Sequence, residues 1–218
     1  MSKMLYKIIK RICDIVISIV LLILFSPFLF LIALIIWISD KGEICIKDPL
    51  RLGLKGKEFR MYKFRTMISN AHNEILNNPK YADLKKKWEI NGNKLKVDED
   101  IRINNIGKIL RKTDLDELPQ IINVLKGQMS LVGPRPMYKD EVLRHFKKYP
   151  RDEKYLENIF KVRPGITGIW QVSGRNKIPF SERLRMDSEY AKNQNFLQDL
   201  KILIKTPYVV LTRKGAYE

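Results

Sequence analysis

The sequence predicts a mainly α protein with a small β element, led by a membrane helix interrupted in its middle. Three observations carry that reading. Residues 15–39 hold no charged side chain. Several later segments repeat apolar residues at helical spacing. Two stretches, about 43–48 (GEICIK) and 57–64 (KEFRMYKF), read as short strands around the turn-like LGLKGK.

The uncharged run IVISIVLLILFSPFLFLIALIIWIS would reach about 37 Å as a straight helix, enough to cross a hydrocarbon core of about 30 Å. It is too long for a signal peptide, and ISDKGE after it offers no small-residue cleavage site. Ser26-Pro27 stands at mid-run. Proline removes a helix hydrogen bond and kinks the helix, and a neighbouring Ser hydroxyl can satisfy the freed group. Basic residues flank both sides: Lys3, Lys7, Lys10 and Arg11 before, Lys41, Lys47, Arg51, Lys55 and Lys57 after. The positive-inside rule wants both flanks in the cytoplasm. A helix turned back at Ser26 and Pro27 satisfies it and a straight span does not, although proline kinks also occur in true spans. Hydropathy leaves the two open. The expected division is a membrane helix-break-helix over 1–40 and a catalytic or binding unit over 41–218.

The rest follows in order. About 68–90 reads as helix broken at Asn78-Pro79 and ended by Asn91-Gly92-Asn93. Leu118, Ile121, Ile122 and Leu125 share a helical face, giving a helix over about 116–126 closed by Gly127. GPRP (133–136) is a stiff loop, 138–160 a charged amphipathic helical stretch, and VRPGITGIWQVSGR (162–175) irregular. Helices return over about 180–193 and 196–213, the second interrupted by Pro207. Its apolar face can cover a core or lie on a membrane surface.

The chain carries 41 Lys and Arg against 24 Asp and Glu, a net charge of +17. Four of those basic and two of those acidic residues lie in 1–40, so the remainder holds +15 of it. Such a balance calls for an anionic partner: nucleic acid, anionic lipid or a phosphorylated substrate. Two cysteines without a CxxC exclude a disulfide scaffold or Cys-rich zinc module, and two histidines argue against a His-based metal site.

The chemistry concentrates in RKTDLDELPQ. Pro119 is tolerated only in a first turn, so Asp116 and Glu117 fall at a helix start, where carboxylates commonly do no more than cap. Four arginines in stiff or Gly-rich settings change the weighing: Arg111, Arg135 inside GPRP, Arg163 and Arg175. Arginine grips phosphate oxygens in a bidentate way, and Pro134 and Pro136 fix the backbone of Arg135. Two carboxylates among arginines, with no Ser-His-Asp set and no P-loop, suggest phosphoryl chemistry with a divalent cation. A carboxylate can also attack phosphorus.

The runs KFRTM (63–67), LRKTDLDELPQIINVLKGQMSLVGPRP (110–136), VRPGITGIWQVSGR and KGAY (214–217) resemble the bacterial sugar transferase family, the monotopic phosphoglycosyl transferases acting on polyprenol phosphate. KRICDIVISIVLLILFSPFLFLIALIIW is similar to that family's re-entrant helix. The likeness covers nearly the whole chain, and the multi-span domain that larger relatives carry is not expected within it.

The resemblance implies transfer of a sugar-1-phosphate from a UDP-sugar to undecaprenyl phosphate, with release of UMP. That is the first membrane step of capsule, exopolysaccharide or O-antigen assembly. Asp116 would be the nucleophile, forming an aspartyl-phosphosugar. Asp116 and Glu117 would be the Mg²⁺ ligands, or Glu117 would instead take the lipid phosphate's proton. Arg111, Arg135, Arg175 and Pro134 would form the phosphate site. Asp187 and Asp199 match acidic family positions, and Asp199 is a candidate metal ligand. UDP-galactose and UDP-glucose rank first as donors, the partners are polyprenol phosphate and membrane lipid rather than nucleic acid, and an oligomer is left open. The protein should be monotopic in the cytoplasmic membrane with interfacial amphipathic helices and its catalytic domain facing the cytoplasm. Gln128, Asp114 and Asp48 depart from the usual pattern without touching the dyad or GPRP. The competing class is a membrane-anchored basic protein that binds anionic lipid or nucleic acid. It lacks any nucleic-acid signature and leaves DELPQ, GPRP and RPGITG unexplained.

Overall fold

A computed structural model describes residues 2–39, 42–47, 49–68, 71–90, 95–213 and 215. Helix α1 (Lys3–Ser39) is 37 residues long, about 55 Å at 1.5 Å per residue. Pro27 lies inside it and the helix continues through. Proline gives no N–H to the carbonyl four residues back, which is Ile23. The Ser26 hydroxyl donates to that carbonyl at 2.8 Å. The freed group is satisfied locally, and the helical pattern continues through the position where the break was expected.

The β element is smaller than the sequence suggests. The stretch 57–64 divides in two. Strand β1 (Cys45–Ile46) pairs with β4 (Lys63–Phe64), and β2 (Arg51–Leu52) with β3 (Glu58–Phe59), both antiparallel. Helices α2 (Ala71–Asn77) and α3 (Ala82–Ile90) are separated at Asn78-Pro79 as expected. The Asn78 side chain caps the short 3₁₀ turn between them. The Asn91-Gly92-Asn93 terminator, Asp48 and most of KGAY lie outside the described residues.

Helix α4 (Asn105–Lys112), capped by Asn104, was not anticipated. After it comes a 3₁₀ turn, Leu115–Glu117, and then α5 (Gln120–Leu125), which starts only after Pro119. Gly127, at φ +75°, closes α5. Strand β5 (Ser130–Val132) follows, then α6 (Lys139–Lys148), and past Pro150 the short α7 (Leu156–Ile159). The segment expected to be irregular contains strand β6 (Gly165–Thr167) and helix α8 (Ile169–Ser173). β6 pairs parallel with β5. A Cβ on Gly165 would stand 2.1 Å from the Gly133 nitrogen, so only glycine permits this approach. The GPRP and RPGITG motifs are therefore two sides of one strand crossing.

Helices α9 (Phe180–Asn193) and α10 (Phe196–Leu211) end the fold. α10 runs through Pro207 without the expected interruption. Ile202 and Val209 are buried on either side of it.

One core cluster joins Phe59, Val124, Met129, Val132, Tyr190 and Ile202. A second joins Ile32 and Ile36 of α1 to Phe64 and Leu110. The start of α1 packs on α5 and β5. Both ends of α1 thus rest on the same globular unit, while its middle presents Ile23, Leu24 and Phe30 at 67–71% exposure. Hiding each such side chain is worth about 1.5–3 kcal/mol. A continuous face of this kind is suited to apolar cover.

Candidate active site

Between α1, the β element, α4, α6 and α10 opens a cavity of about 1920 Å³. Asp116, Glu117, Arg111, Arg135 and Arg175 all line it. The dyad sits in the 3₁₀ turn and neither carboxylate caps a helix. The turn is forced by the left-handed Asp114 (φ 56°) before it and by Pro119 after it. Both side chains face cations. Lys63 Nζ lies 2.6 Å from Glu117 Oε1 and 3.5 Å from Asp116 Oδ2. Arg135 Nη2 donates to Glu117 Oε1 at 3.0 Å, with Nη1 3.5 Å from Oε2.

The two carboxylates are driven apart electrostatically. Burial pushes Asp116 up, Lys63 opposes that only in part, and the Glu117 charge adds to the rise. Burial pushes Glu117 up as well, but Arg135 and Lys63 outweigh it and hold it well below the ordinary carboxylate range. Asp116 is thus not kept ionised by a helix end, as its position in the sequence suggests; its charge is balanced between burial and Lys63.

The arginines are placed by different means. Arg135 is raised above its ordinary value, chiefly by the Glu117 charge. Its guanidinium lies 5.5 Å from the centre of the Trp170 ring, which Arg183 approaches at 5.0 Å. Arg183 Nη2 also donates to the Arg135 carbonyl at 2.9 Å. Arg111 Nε donates to Thr66 Oγ1 at 2.8 Å. Arg175 donates to Asp114 Oδ2 at 2.6 Å, so the family-atypical Asp114 orients a site arginine. Gln128, another atypical residue, accepts from Asn123 at 2.8 Å.

Other sequence-derived candidates go elsewhere. Arg163 donates to the Gly127 carbonyl at 2.8 Å and is absent from the cavity wall. Pro134 contributes backbone: its carbonyl accepts from Gly165 N–H at 2.8 Å, and the cavity wall beside Arg135 is made by Pro136. Asp199 lies on α10, where Tyr6 and Lys10 of α1 and Tyr190 of α9 take its oxygens at 2.5–2.7 Å. It is not among the residues lining the cavity. Asp187 is buried beside Arg183 at 3.7 Å. Lys63, Trp170 and Arg183 were not singled out by sequence reasoning. Lys63 stands within KFRTM, but nothing in its neighbours points at a dyad more than fifty residues away.

The donor set suits a hard divalent cation of the magnesium kind. Such an ion needs one or two carboxylates and completes its shell with substrate phosphates and water. Among the described residues the Asp116 carboxylate meets Lys63 at 3.5 Å and lines the cavity, whereas both Glu117 oxygens are engaged. No group of three or more His, Cys, Asp or Glu that could hold a metal exists among the described residues, so an all-protein cage is not offered.

Residues 5–213 match the family described as bacterial sugar transferase. The undecaprenyl-phosphate galactose phosphotransferase of Salmonella typhimurium is 43% identical over 213 residues, 95% of this chain and 41% of that protein. The exopolysaccharide production protein ExoY of Sinorhizobium fredii is 36% identical over 95% of this chain and 88% of its own length. The UDP-glucose:undecaprenyl-phosphate glucose-1-phosphate transferase of Klebsiella pneumoniae is 36% identical over 95% of this chain and 41% of that protein. The chain spans less than half the length of several relatives it matches. With the dyad, GPRP and the Gly-rich crossing assembled around one cavity, these matches place the chain in the bacterial sugar transferase family.

Proposed function

We propose that this protein transfers a sugar-1-phosphate from a UDP-sugar to undecaprenyl phosphate, releasing UMP and beginning a surface glycan. The carrying observation is the Asp116–Glu117 pair, Asp116 buried and Glu117 half-buried, facing a cavity on whose walls Lys63, Arg111, Arg135 and Arg175 also stand. Relatives named for galactose and glucose phosphate transfer favour UDP-galactose or UDP-glucose as donor.

In this reading an Asp116 oxygen attacks the phosphorus that bears the sugar. The bond from that phosphorus to the UMP oxygen breaks, and UMP departs with the electron pair. An aspartyl-phosphosugar remains. An oxygen of the lipid phosphate then attacks the same phosphorus, and Asp116 leaves as carboxylate. Lys63 keeps enough of Asp116 ionised to act. Glu117, held low by Arg135 and Lys63, is a poor base at neutral pH, and its work is to organise those two cations. Arg135, Arg111 and Arg175 take the phosphate oxygens. Mg²⁺, held by Asp116 with Glu117 beside it, would add charge neutralisation for the diphosphate.

The membrane reading is monotopic, with 1–40 as the membrane element, 41–218 as the catalytic unit, and α1 entering and leaving on the cytoplasmic face. Basic flanks and the packing of both ends of α1 on one globular unit support it. α10 exposes Phe196, Leu197, Ile204, Tyr208 and Leu211 and suits the interface.

The test is donor without acceptor. An intact-mass gain of one phosphosugar on Asp116, ping-pong kinetics and UMP release are expected. Asp116→Asn should fold, bind donor and turn over almost nothing. An active Asp116→Asn protein, or an adduct on another residue, removes Asp116 from this role. Absence of UMP release from any UDP-sugar would favour the anionic-lipid binding class instead.

A further inference from the structure

The start of α1 is fastened to the globular unit by charged and polar side chains rather than by apolar packing alone. Arg11 donates from Nη1 to the Val124 carbonyl at 2.7 Å and from Nη2 to the Leu125 carbonyl at 3.2 Å. These are the last carbonyls of α5, where a cation complements the helix dipole, and Val124 O accepts in addition from the Gly127 N–H at 2.9 Å. One turn on, Asp14 Oδ1 accepts from the Leu131 N–H at 3.1 Å. Asp14 is 5% exposed. Tyr6 and Lys10 hold Asp199, which also accepts from the Tyr190 hydroxyl, and that hydroxyl oxygen lies 3.3 Å from the Val132 carbonyl oxygen.

The places gripped are telling. α5 begins three residues after Glu117, and Leu131 and Val132 lead directly into Gly133-Pro134-Arg135. The single stretch joining the dyad to Arg135 is therefore clamped at its midpoint by the membrane helix. None of these α1 side chains touches the cavity wall. We propose that Arg11 and Asp14 are positioning residues: they fix the 116–135 segment to α1, so that the seat of the helix in the membrane sets the spacing between Asp116 and Arg135. This rests on the transferase reading only where activity is the readout.

The experiment compares Asp14→Ala, Asp14→Asn and Arg11→Gln with wild type, as full chains in lipid nanodiscs. Asp14→Ala deletes the acceptor for Leu131 N–H, while Asn keeps an oxygen there. Hydrogen exchange should rise over 128–136 in Asp14→Ala and stay unchanged over α6. kcat should fall by about ten- to a hundredfold with donor KM within about threefold, the pattern of a displaced rather than missing group. Asp14→Asn should recover most of both. Arg11→Gln should raise exchange at 122–128 and gives the same kcat-against-KM readout if Asp14→Ala does not fold. Wild-type exchange over 128–136 together with wild-type kcat in Asp14→Ala overturns the proposal. So does exchange raised equally across α6 and α9, which marks general loosening, and so does an Asn variant as impaired as Ala. A wild-type protein that releases no UMP defeats the transferase reading instead, and the exchange arm still decides the clamp.

Discussion

Arg135 and Glu117 are joined directly, Nη2 to Oε1 at 3.0 Å. A phosphate arriving at Arg135 must share or displace that carboxylate. The fork geometry makes sharing feasible, because a guanidinium has five donors in one plane and Glu117 engages only one edge. A lysine there would offer a point charge and lose the second edge. Arg135→Lys should reduce kcat/KM by about 100-fold, the loss of roughly 3 kcal/mol seen when one preorganised donor goes. Arg185→Lys, on the surface with Glu182 and Glu189, should stay within about twofold, since exposed pairs are worth little. Similar losses in both would place no anion at GPRP.

Lys63 decides how much Asp116 is ionised. Burial raises Asp116, and Lys63 is the strongest opposing influence. A raised value means activity is lost, as pH falls, earlier than an ordinary aspartate near 3.9 would lose it. The acid limb of kcat/KM should therefore lie above that of an ordinary aspartate. Lys63→Met removes the opposing charge, so the limb should move further up and the maximum rate should drop. A limb that stays in place in Lys63→Met would assign the titration to another group.

How much of this was legible beforehand depends on range. The uncharged run, the Asn78-Pro79 break and the dyad-plus-arginine cluster are local signals, and they were readable. The pairing of β5 with β6 was not, because three-residue strands carry no alternation and glycine there signals close approach only once its neighbour is known. Asp199 shows the same limit. From FLQDLKI it is simply an acidic residue in an amphipathic helix. Its partner Tyr6 comes from the far end of the chain, and no spacing rule reaches that distance. Asp114 looked like a neutral departure until its partner Arg175 was placed.

Asp187 gives a stability test. Burial raises it to about 6, with the Arg183 charge pulling the other way. A folded value above the unfolded one means the folded state holds the proton more tightly. The contribution is complete below about pH 4 and is lost as pH rises through about 6. The difference corresponds to roughly 3 kcal/mol at most. The Tm of the wild type should therefore fall more steeply between pH 4 and 7 than that of Asp187→Asn, which has nothing to titrate there. Parallel profiles would mean that Arg183 fully compensates the charge.

The Ser26 hydroxyl and Pro27 form a compensated pair, which makes their separate removal informative. Pro27 takes away the N–H that Ile23 O would have received, and Ser26 Oγ replaces it at 2.8 Å. Ser26→Ala alone strands that carbonyl on an apolar face, at a cost of about 1–3 kcal/mol for an unpaired group away from water. Pro27→Ala restores the ordinary donor, so in that background Ser26→Ala should cost little. The double variant should then be more stable than Ser26→Ala alone, the reverse of additive damage. Its helix, freed of the proline, has an uncharged run long enough to span. A tag at Met1 should be shielded from outside label in intact wild-type cells and become accessible in a fraction of cells carrying the double variant. Outside labelling of the wild-type tag would sink the monotopic reading. Additive destabilisation in the cycle would show that the Ser26 hydroxyl does not stand in for the missing donor.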